Sequence, residues 1–301
     1  MKSRKLALAV LFLVGFGHVQ AQEYAFKVLV NKGKNELKSG SGWTPLKVGA
    51  SLKPDDQLKV SENSYLGLVR VSTGKPLEMK KPGTYSVLKL KTEMDAQPAN
   101  SVLNKYTDFI LSSATSPKNT LSATGAVDRG ILKIDLNLPG PSTEHAEVFG
   151  KKVIVSWVDE RKLKPYIVTF NNMFGDELLS KETSDTSIEV DLTDPALSHE
   201  DAVLVKVTSK TDKNRQSDER TIKKVTKANR DKIGTAYTEF AAANAEPTAI
   251  NKYYLAGFYE QHGMFIDAGT ALQEAAKMEP EVYTDLYSEF LLRTGIRKKR
   301  K

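Results

Sequence analysis

No cysteine occurs anywhere in the 301 residues. That excludes disulfide frameworks, thiolate metal sites and thiol catalysis, and it leaves an oxidising destination nothing to bridge. Histidine is nearly as scarce: beyond the first 21 residues only His145, His199 and His262 remain. None belongs to HExxH or to another metal-ligand spacing, so each reads as an exposed polar residue. A GxSxG elbow, a P-loop and a dinucleotide-binding GxGxxG are also missing. Gly40-Ser41-Gly42 has too few glycines to cradle a phosphate, and it reads as a flexible entry into the strand at Trp43. Asp191, Asp194 and Asp201 have oxygens to offer calcium but stand outside the EF-hand register, and acidic loops are usually just solvated. The expectation is a non-enzymatic protein with no catalytic, cofactor-binding or metal residues.

Long apolar runs are absent apart from one. Leu6 to Phe16 follows Lys2, Arg4 and Lys5, and Val19-Gln20-Ala21 puts small residues three before and directly before a cut ahead of Gln22. This is the pattern of a secretory signal peptide, too short to span a bilayer comfortably. No cysteine follows it, which excludes a lipoprotein anchor, and no later run is long enough for a membrane helix. The expected destination is the periplasm or the cell exterior, with association to the envelope open.

Excess charge is confined to the ends. The chain has 44 basic and 37 acidic residues, for a net +7. The three basic residues of the leader and the five of Arg297 to Lys301 exceed that total, leaving −1 for residues 22–296. A near-neutral body without a basic stripe interleaved with aromatics argues against a nucleic-acid partner. The basic tail suits a solvated end, or contact with an anionic surface.

What is present is a dense β pattern. Between Gly42 and Leu90, short apolar runs are cut at Val48-Gly49, Lys53-Pro54-Asp55-Asp56, Glu62-Asn63-Ser64, Ser72-Thr73-Gly74 and Lys81-Pro82-Gly83. Such spacing predicts a compact all-β module opened by Tyr24 to Val30 and ended by a run at Tyr85 to Leu90. Tyr65 to Val71 is apolar on both faces, as a buried central strand would be. Residues 101–114 then place Val102, Tyr106, Phe109 and Ile110 on one helical face, which predicts a connecting helix.

Strands return at Gly130. Leu132, Ile134, Leu136 and Leu138 alternate with polar residues, as do Val153, Val155 and Trp157, and Tyr166, Val168 and Phe170. Further runs follow at Glu177 to Lys181, Ser187 to Leu192, Ala202 to Thr208 and Ser217 to Ile222. This series of short strands indicates a β-sandwich. From Thr226 the chain turns helical: a helix to Asn244, an antiparallel pair ended by Pro280, and a closing helix over Val282 to Leu292.

Three resemblances rest on these residues. Trp43-x-x-Leu46-x-x-Gly49-x-x-Leu52, Asp56-x-Leu58-x-Val60, Tyr65-Leu66-x-Leu68 and Pro82-Gly83-x-Tyr85-x-Val87 together resemble FecR-type domains of bacterial envelope proteins. Trp157 with Tyr166-x-Val168-x-Phe170 looks like the second and third strands of an immunoglobulin or fibronectin type III sandwich. Leu255-Ala256-x-x-Tyr259-x-x-x-Gly263-x-x-x-x-Ala268-x-x-x-Leu272-x-x-Ala275-x-x-x-x-Pro280 resembles one tetratricopeptide repeat, with Lys252 where that repeat usually has an aromatic. One repeat is fewer than such arrays need to stand alone, so these helices are expected to pack on one another or on the sandwich.

The resulting division is a leader over 1–21, a FecR-like β module over 22–92, a helical connector over 93–129, an Ig-like sandwich over 130–224, a TPR-like α-helical unit over 225–296 and a basic tail over 297–301. The resemblances imply an exported, non-enzymatic binding or scaffolding protein of the bacterial cell envelope, whose partner is another envelope or secreted protein. A signal-sensing regulator and a glycan- or peptidoglycan-binding protein are the alternatives. Candidate interaction residues are Trp43, Tyr65 and Tyr85 on the β module and Tyr253, Tyr254 and Phe265 in the helical unit. Aromatics at such spacings more often fill a core than face a ligand.

Overall fold

A computed structural model describes residues 24–96, 102–115, 133–140 and 146–297. The leader, His145 and the last four residues of the tail lie outside them. Among the described residues no helix is long and apolar enough to cross a membrane.

The first unit has eight strands: β1 (Phe26–Lys32), β2 (Glu36–Ser39), β3 (Gly42–Pro45), β4 (Ser51–Leu52), β5 (Gln57–Val60), β6 (Tyr65–Arg70), β7 (Pro76–Met79) and β8 (Gly83–Ser86). They form two four-stranded sheets, β4-β1-β6-β7 and β3-β2-β5-β8. Phe26, Val28, Leu52, Leu58, Leu66 and Leu68 fill the core of this unit. The other side of the first sheet carries Leu29, Val30, Tyr65 and Val69, which join the helical core described below. Alternation along β6 sends Leu66 and Leu68 one way and Tyr65 and Val69 the other, so the whole strand is buried.

The apolar run at Tyr85 to Leu90 does not continue as a strand. Ser86 ends β8 and caps helix α1 (Val87–Asp95), its Oγ accepting the Lys89 N–H at 3.4 Å. Val87 and Met94, seven residues apart, are buried on one face. Helix α2 (Asn104–Thr115) follows. Its Tyr106, Ile110 and Leu111, with Leu103 just before it, are buried in the helical core, so the expected connector is also a packing element.

The second unit is a two-sheet β structure. It contains β9 (Asp135–Leu136), β10 (Glu147–Val148), β11 (Lys152–Val158), β12 (Tyr166–Asn171), β13 (Glu177–Thr183), β14 (Ser187–Asp191), the short helix α3 (Pro195–Ser198), β15 (Ala202–Ser209) and β16 (Arg220–Lys224). The sheets run β10-β16-β15-β12-β13 and β14-β11-β9. Val153, Val155 and Trp157 of β11 face Tyr166, Val168 and Phe170 of β12 within one core. Trp157 meets Tyr166 edge-on, with ring centroids 5.4 Å apart. At one end of this core, the buried Asp159 carboxylate accepts Nε and Nη2 of Arg215 at 2.9 and 2.6 Å and the N–H of Leu163 at 2.9 Å.

The C-terminal helices are α4 (Lys227–Ala243), α5 (Ala249–Gln261), α6 (Phe265–Met278) and α7 (Pro280–Arg293). Thr226 caps α4 and Thr248 caps α5 through their side-chain oxygens. Ala256, Ala268 and Ala275 are buried where α5 and α6 pack, alongside Tyr259 and Leu272. Helix α5 also lies close against β6. A Cβ on Gly67 would stand 2.9 Å from Ile250 Cδ1, so any larger residue there requires Ile250 to shift. The helices are therefore wedged between the two β units, sharing a core with the first sheet and, through Ile266, with the second unit.

Candidate binding cleft

The clamp that builds the site is α6. Strand β11 pairs with β14 along Lys152 to Ser156, but on its other side β9 reaches only Trp157 and Val158. That leaves an open strand edge, which the polar side chains of α6 cover. The Thr270 Oγ1 accepts the Ile154 N–H at 3.0 Å, and Gln273 Nε2 donates to the Ile154 carbonyl at 3.1 Å. One turn earlier, Asp267 accepts the N–H groups of Phe149 at 2.8 Å and Gly150 at 2.7 Å. Helix α7 adds a hydroxyl pair between Tyr287 and Ser156 at 2.8 Å.

Gly150 lets the carboxylate close in, because a Cβ there would lie 2.7 Å from Asp267 Oδ1 and would push it off its amide partners. Burial raises the Asp267 pKa to about 6, while the two backbone N–H groups and Arg230 pull it back down. Both carboxylate oxygens are occupied by amides, so Asp267 is a structural acceptor.

Beside the clamp lies a cleft of about 480 Å³, within the range of ligand pockets and at a junction between structural units. Phe149, Tyr237, Leu255 and Tyr259 form its apolar wall. The rings of Tyr237 and Tyr259 stack with centroids 6.1 Å apart and planes 16° apart, and Phe149 stands 5.4 Å from Tyr237. The Arg230 guanidinium sits 5.2 Å over the Phe149 ring and donates to the Phe149 carbonyl at 3.0 Å. Lys151, Lys152 and Lys252 complete the basic lining. Lys252 pairs with Glu274 at 2.5 Å across α5 and α6, and Lys152 pairs with Glu189 at 3.1 Å. Among the described residues neither Lys151 nor Arg230 stands in an ion pair. Asp267 and Glu274 also line the cleft, so its four basic groups outnumber two carboxylates. This net basic lining suits an apolar side chain with an acidic group beside it: burying one Phe-sized side chain is favourable by about 2–3 kcal/mol.

The aromatics picked out in the sequence do not converge on this cleft. Tyr65, Tyr253 and Tyr254 are buried. Tyr65 shares a hydroxyl hydrogen bond of 2.7 Å with Tyr283, Tyr254 one of 3.1 Å with Thr107, and Tyr253 packs on Tyr283. Tyr65 thus joins the β module to α7, while Tyr254 joins α5 to α2 and Tyr253 joins α5 to α7. Phe265 is half-buried against Phe290, and Tyr85 donates to the Lys81 carbonyl at 2.6 Å. Of these six, Trp43 is the one that presents a sizeable ring surface, 37% exposed, with the ammonium groups of Lys38 and Lys59 within 6.0 and 5.8 Å of its centre.

His199 is exposed at the end of α3. His262 is half-buried at the end of α5 between Phe258 and Tyr106, and burial lowers its pKa. Asp191 accepts from Thr193, and Asp194 caps α3.

The residues that sequence reading missed are Asp267, Thr270 and Gln273, together with Phe149 and Tyr237. The first three were open to detection: polar residues spaced i, i+3, i+6 interrupt the otherwise apolar, alanine-rich face of α6. The cleft itself is assembled from segments about 80 and 120 residues apart, and no local pattern announces it. No protein-family model matches the chain, and no curated protein matches it significantly.

Proposed function

We propose that this chain is an exported, non-enzymatic binding or scaffolding protein of the bacterial cell envelope, and that the cleft between the second β unit and the helices holds its protein partner. The observation that carries this reading is the clamp: α6 fixes the strand edge and the 149–152 turn by side-chain to backbone hydrogen bonds, so the aromatic wall is held preorganised.

The module identities are part of the same proposal. A FecR-like module is supported by burial of Leu46, Leu52, Leu58, Val60, Leu66 and Leu68 in one core. An immunoglobulin-like sandwich is supported by β11 and β12 lying in opposite sheets and by the Trp157–Tyr166 contact. A tetratricopeptide-like hairpin is supported by the buried alanines between α5 and α6.

The test is cofractionation. Wild type expressed with its leader is expected in the envelope or periplasmic fraction, co-purifying with a protein that Tyr237→Ala/Leu255→Asp fails to retain. Retention in the cytoplasm, or an unchanged co-purification profile, contradicts the reading.

A second reading, glycan binding, is favoured by Trp43 alone, whose exposed ring on the outer sheet lies near two lysines. It requires salt-resistant sedimentation with purified cell wall that Trp43→Ala abolishes.

A further inference from the structure

The hairpin between β12 and β13 is built to hold an apolar pair in water. Phe174 is 93% exposed and Met173 53% exposed at its tip. The tip is held from within: Asn172 Oδ1 accepts the N–H groups of Phe174 and Asp176, each at 2.9 Å. Its Nδ2 donates to Asp176 Oδ2 at 2.9 Å, and its N–H donates to the Asp176 carbonyl at 2.9 Å. A loop ordered this way presents its side chains with little entropy left to lose, as binding anchors do.

The surroundings of the tip are acidic. Asp176 and Glu177 are exposed beside it, and Glu200 and Asp201 lead into the adjacent β15 at the same end of the sheet. Lys224, at that end, is committed to the carbonyls of Leu197 and Ser198. An acidic collar disfavours an anionic lipid surface and suits an apolar pocket with a basic rim. The cleft lined by Tyr237, Leu255, Tyr259, Lys151 and Arg230 is such a pocket.

The ladders place tip and cleft relative to each other. Asn171 at the end of β12 pairs with Leu204, Ala202 with Lys223, and Lys224 with Val148. The 149–152 turn and the tip therefore lie at the same end of the five-stranded sheet. They flank its opposite edges, β10 and β13, four strand spacings or about 19 Å apart. The tip thus does not fill its own cleft. When two copies face each other end to end about a two-fold axis normal to the sheet, the edge that carries the tip in one copy meets the edge that carries the 149–152 turn in the other, and the contact closes on itself.

We propose that the occupant of the cleft is the Met173–Phe174 tip of a second copy, giving a reciprocal dimer with two tip-in-cleft contacts. This rests on the reading of the cleft as a protein-binding site and names its partner.

Sedimentation equilibrium of the purified chain over a range of concentrations and salt tests it. Wild type should dimerise, more weakly at high salt, and Phe174→Ala, which removes the ring from both contacts, should weaken dimerisation by roughly 10³–10⁴-fold. Both side chains at the tip are exposed, so folding is not at stake, and an unchanged melting temperature checks this.

The sharper arm reverses charge. A tip variant, Glu177→Lys/Asp201→Lys, and a cleft variant, Lys151→Glu/Lys152→Glu, should each fail to self-associate. Mixed together they should form a heterodimer, because both contacts are then matched. A wild type that stays monomeric, a Phe174→Ala chain that dimerises normally, absence of the heterodimer, or Phe174-dependent binding to anionic vesicles without dimerisation each overturns the proposal. A monomer that still captures another protein through Leu255 overturns the dimer and leaves the cleft reading standing.

Discussion

Gly150 and Asp267 are 117 residues apart in sequence, yet the Gly150 N–H donates to the Asp267 carboxylate at 2.7 Å. The second β unit and the helices meet at this bond. Thr270 and Gln273 of the same helix bond the β11 edge at Ile154, where no strand among the described residues pairs, and Asp267 holds the turn that precedes it.

Asp267 makes the joint sensitive to acid in a defined direction. Its pKa in the folded chain, about 6, lies above the ordinary 3.8, so the folded state holds the proton more tightly. The stability this contributes is fully present below pH 3.8 and is lost as pH rises through about 6. Asp267→Asn removes the titration. The stability advantage of wild type over this variant should therefore shrink between pH 4 and 7 by on the order of 3 kcal/mol. Denaturant melts at several pH values measure it, and a pH-independent difference contradicts the assignment.

The edge cover predicts a graded loss. Thr270→Val keeps the volume but removes the acceptor for the buried Ile154 N–H, at a cost of about 1–3 kcal/mol. Amide exchange at Ile154 should accelerate in that variant while exchange in β6 stays slow. Unchanged exchange at Ile154 argues that the strand edge is protected some other way.

The contact between the first sheet and α5 depends on a missing side chain. Gly67→Ala forces a methyl to within 2.9 Å of Ile250 Cδ1, and overpacking of this kind costs roughly 1–3 kcal/mol. Adding Ile250→Val should recover part of the loss, since the shorter side chain vacates that space. A thermal midpoint unaffected by Gly67→Ala would show that the two elements do not approach so closely.

An ion pair anchors each β unit separately, enclosed in the second unit and open to solvent on its Asp95 side in the first. Arg215 and Asp159 are almost wholly enclosed, so Asp159→Ala strands a buried guanidinium and should cost about 3–5 kcal/mol. In the first unit Arg70 is buried and holds Asp95 at 2.8 and 3.1 Å, and hydrogen bonds from Arg70 and Lys91 lower the Asp95 pKa to about 2. Stability from Asp95 is present above pH 3.8 and is lost as pH falls towards 2. Its window lies below that of Asp267, so an acid titration of Asp95→Asn separates the two.

Elements with a strong local period were legible from sequence. The period-2 runs of β11 and β12 and the buried alanines of α5 and α6 form the elements expected of them, and β6 is buried on both faces as its double apolar pattern requires. Tyr85 to Leu90 was misleading because a six-residue apolar run fits either a strand or the start of a helix, and the cap at Ser86 decides for the helix. Tyr65, Tyr253 and Tyr254 were legible as aromatics at regular spacing, but spacing alone does not say whether a ring faces water or a neighbouring element. The cleft was invisible because its walls come from a turn and three helices that only tertiary packing brings together. Met173-Phe174 was overlooked because in sequence it is indistinguishable from ordinary core residues near a turn.

The most direct measurement places a photo-crosslinking amino acid at Leu255, on the cleft wall, in cells that express the full chain. The predicted result is a light-dependent covalent adduct with a protein segment, lost when Tyr237→Ala removes a ring from the same apolar wall. For the dimer, the adduct maps to Met173 or Phe174 of another copy. Repeated irradiation without any protein adduct, while a crosslinker at an exposed control site such as Leu88 behaves the same way, would contradict the cleft as a protein-binding site.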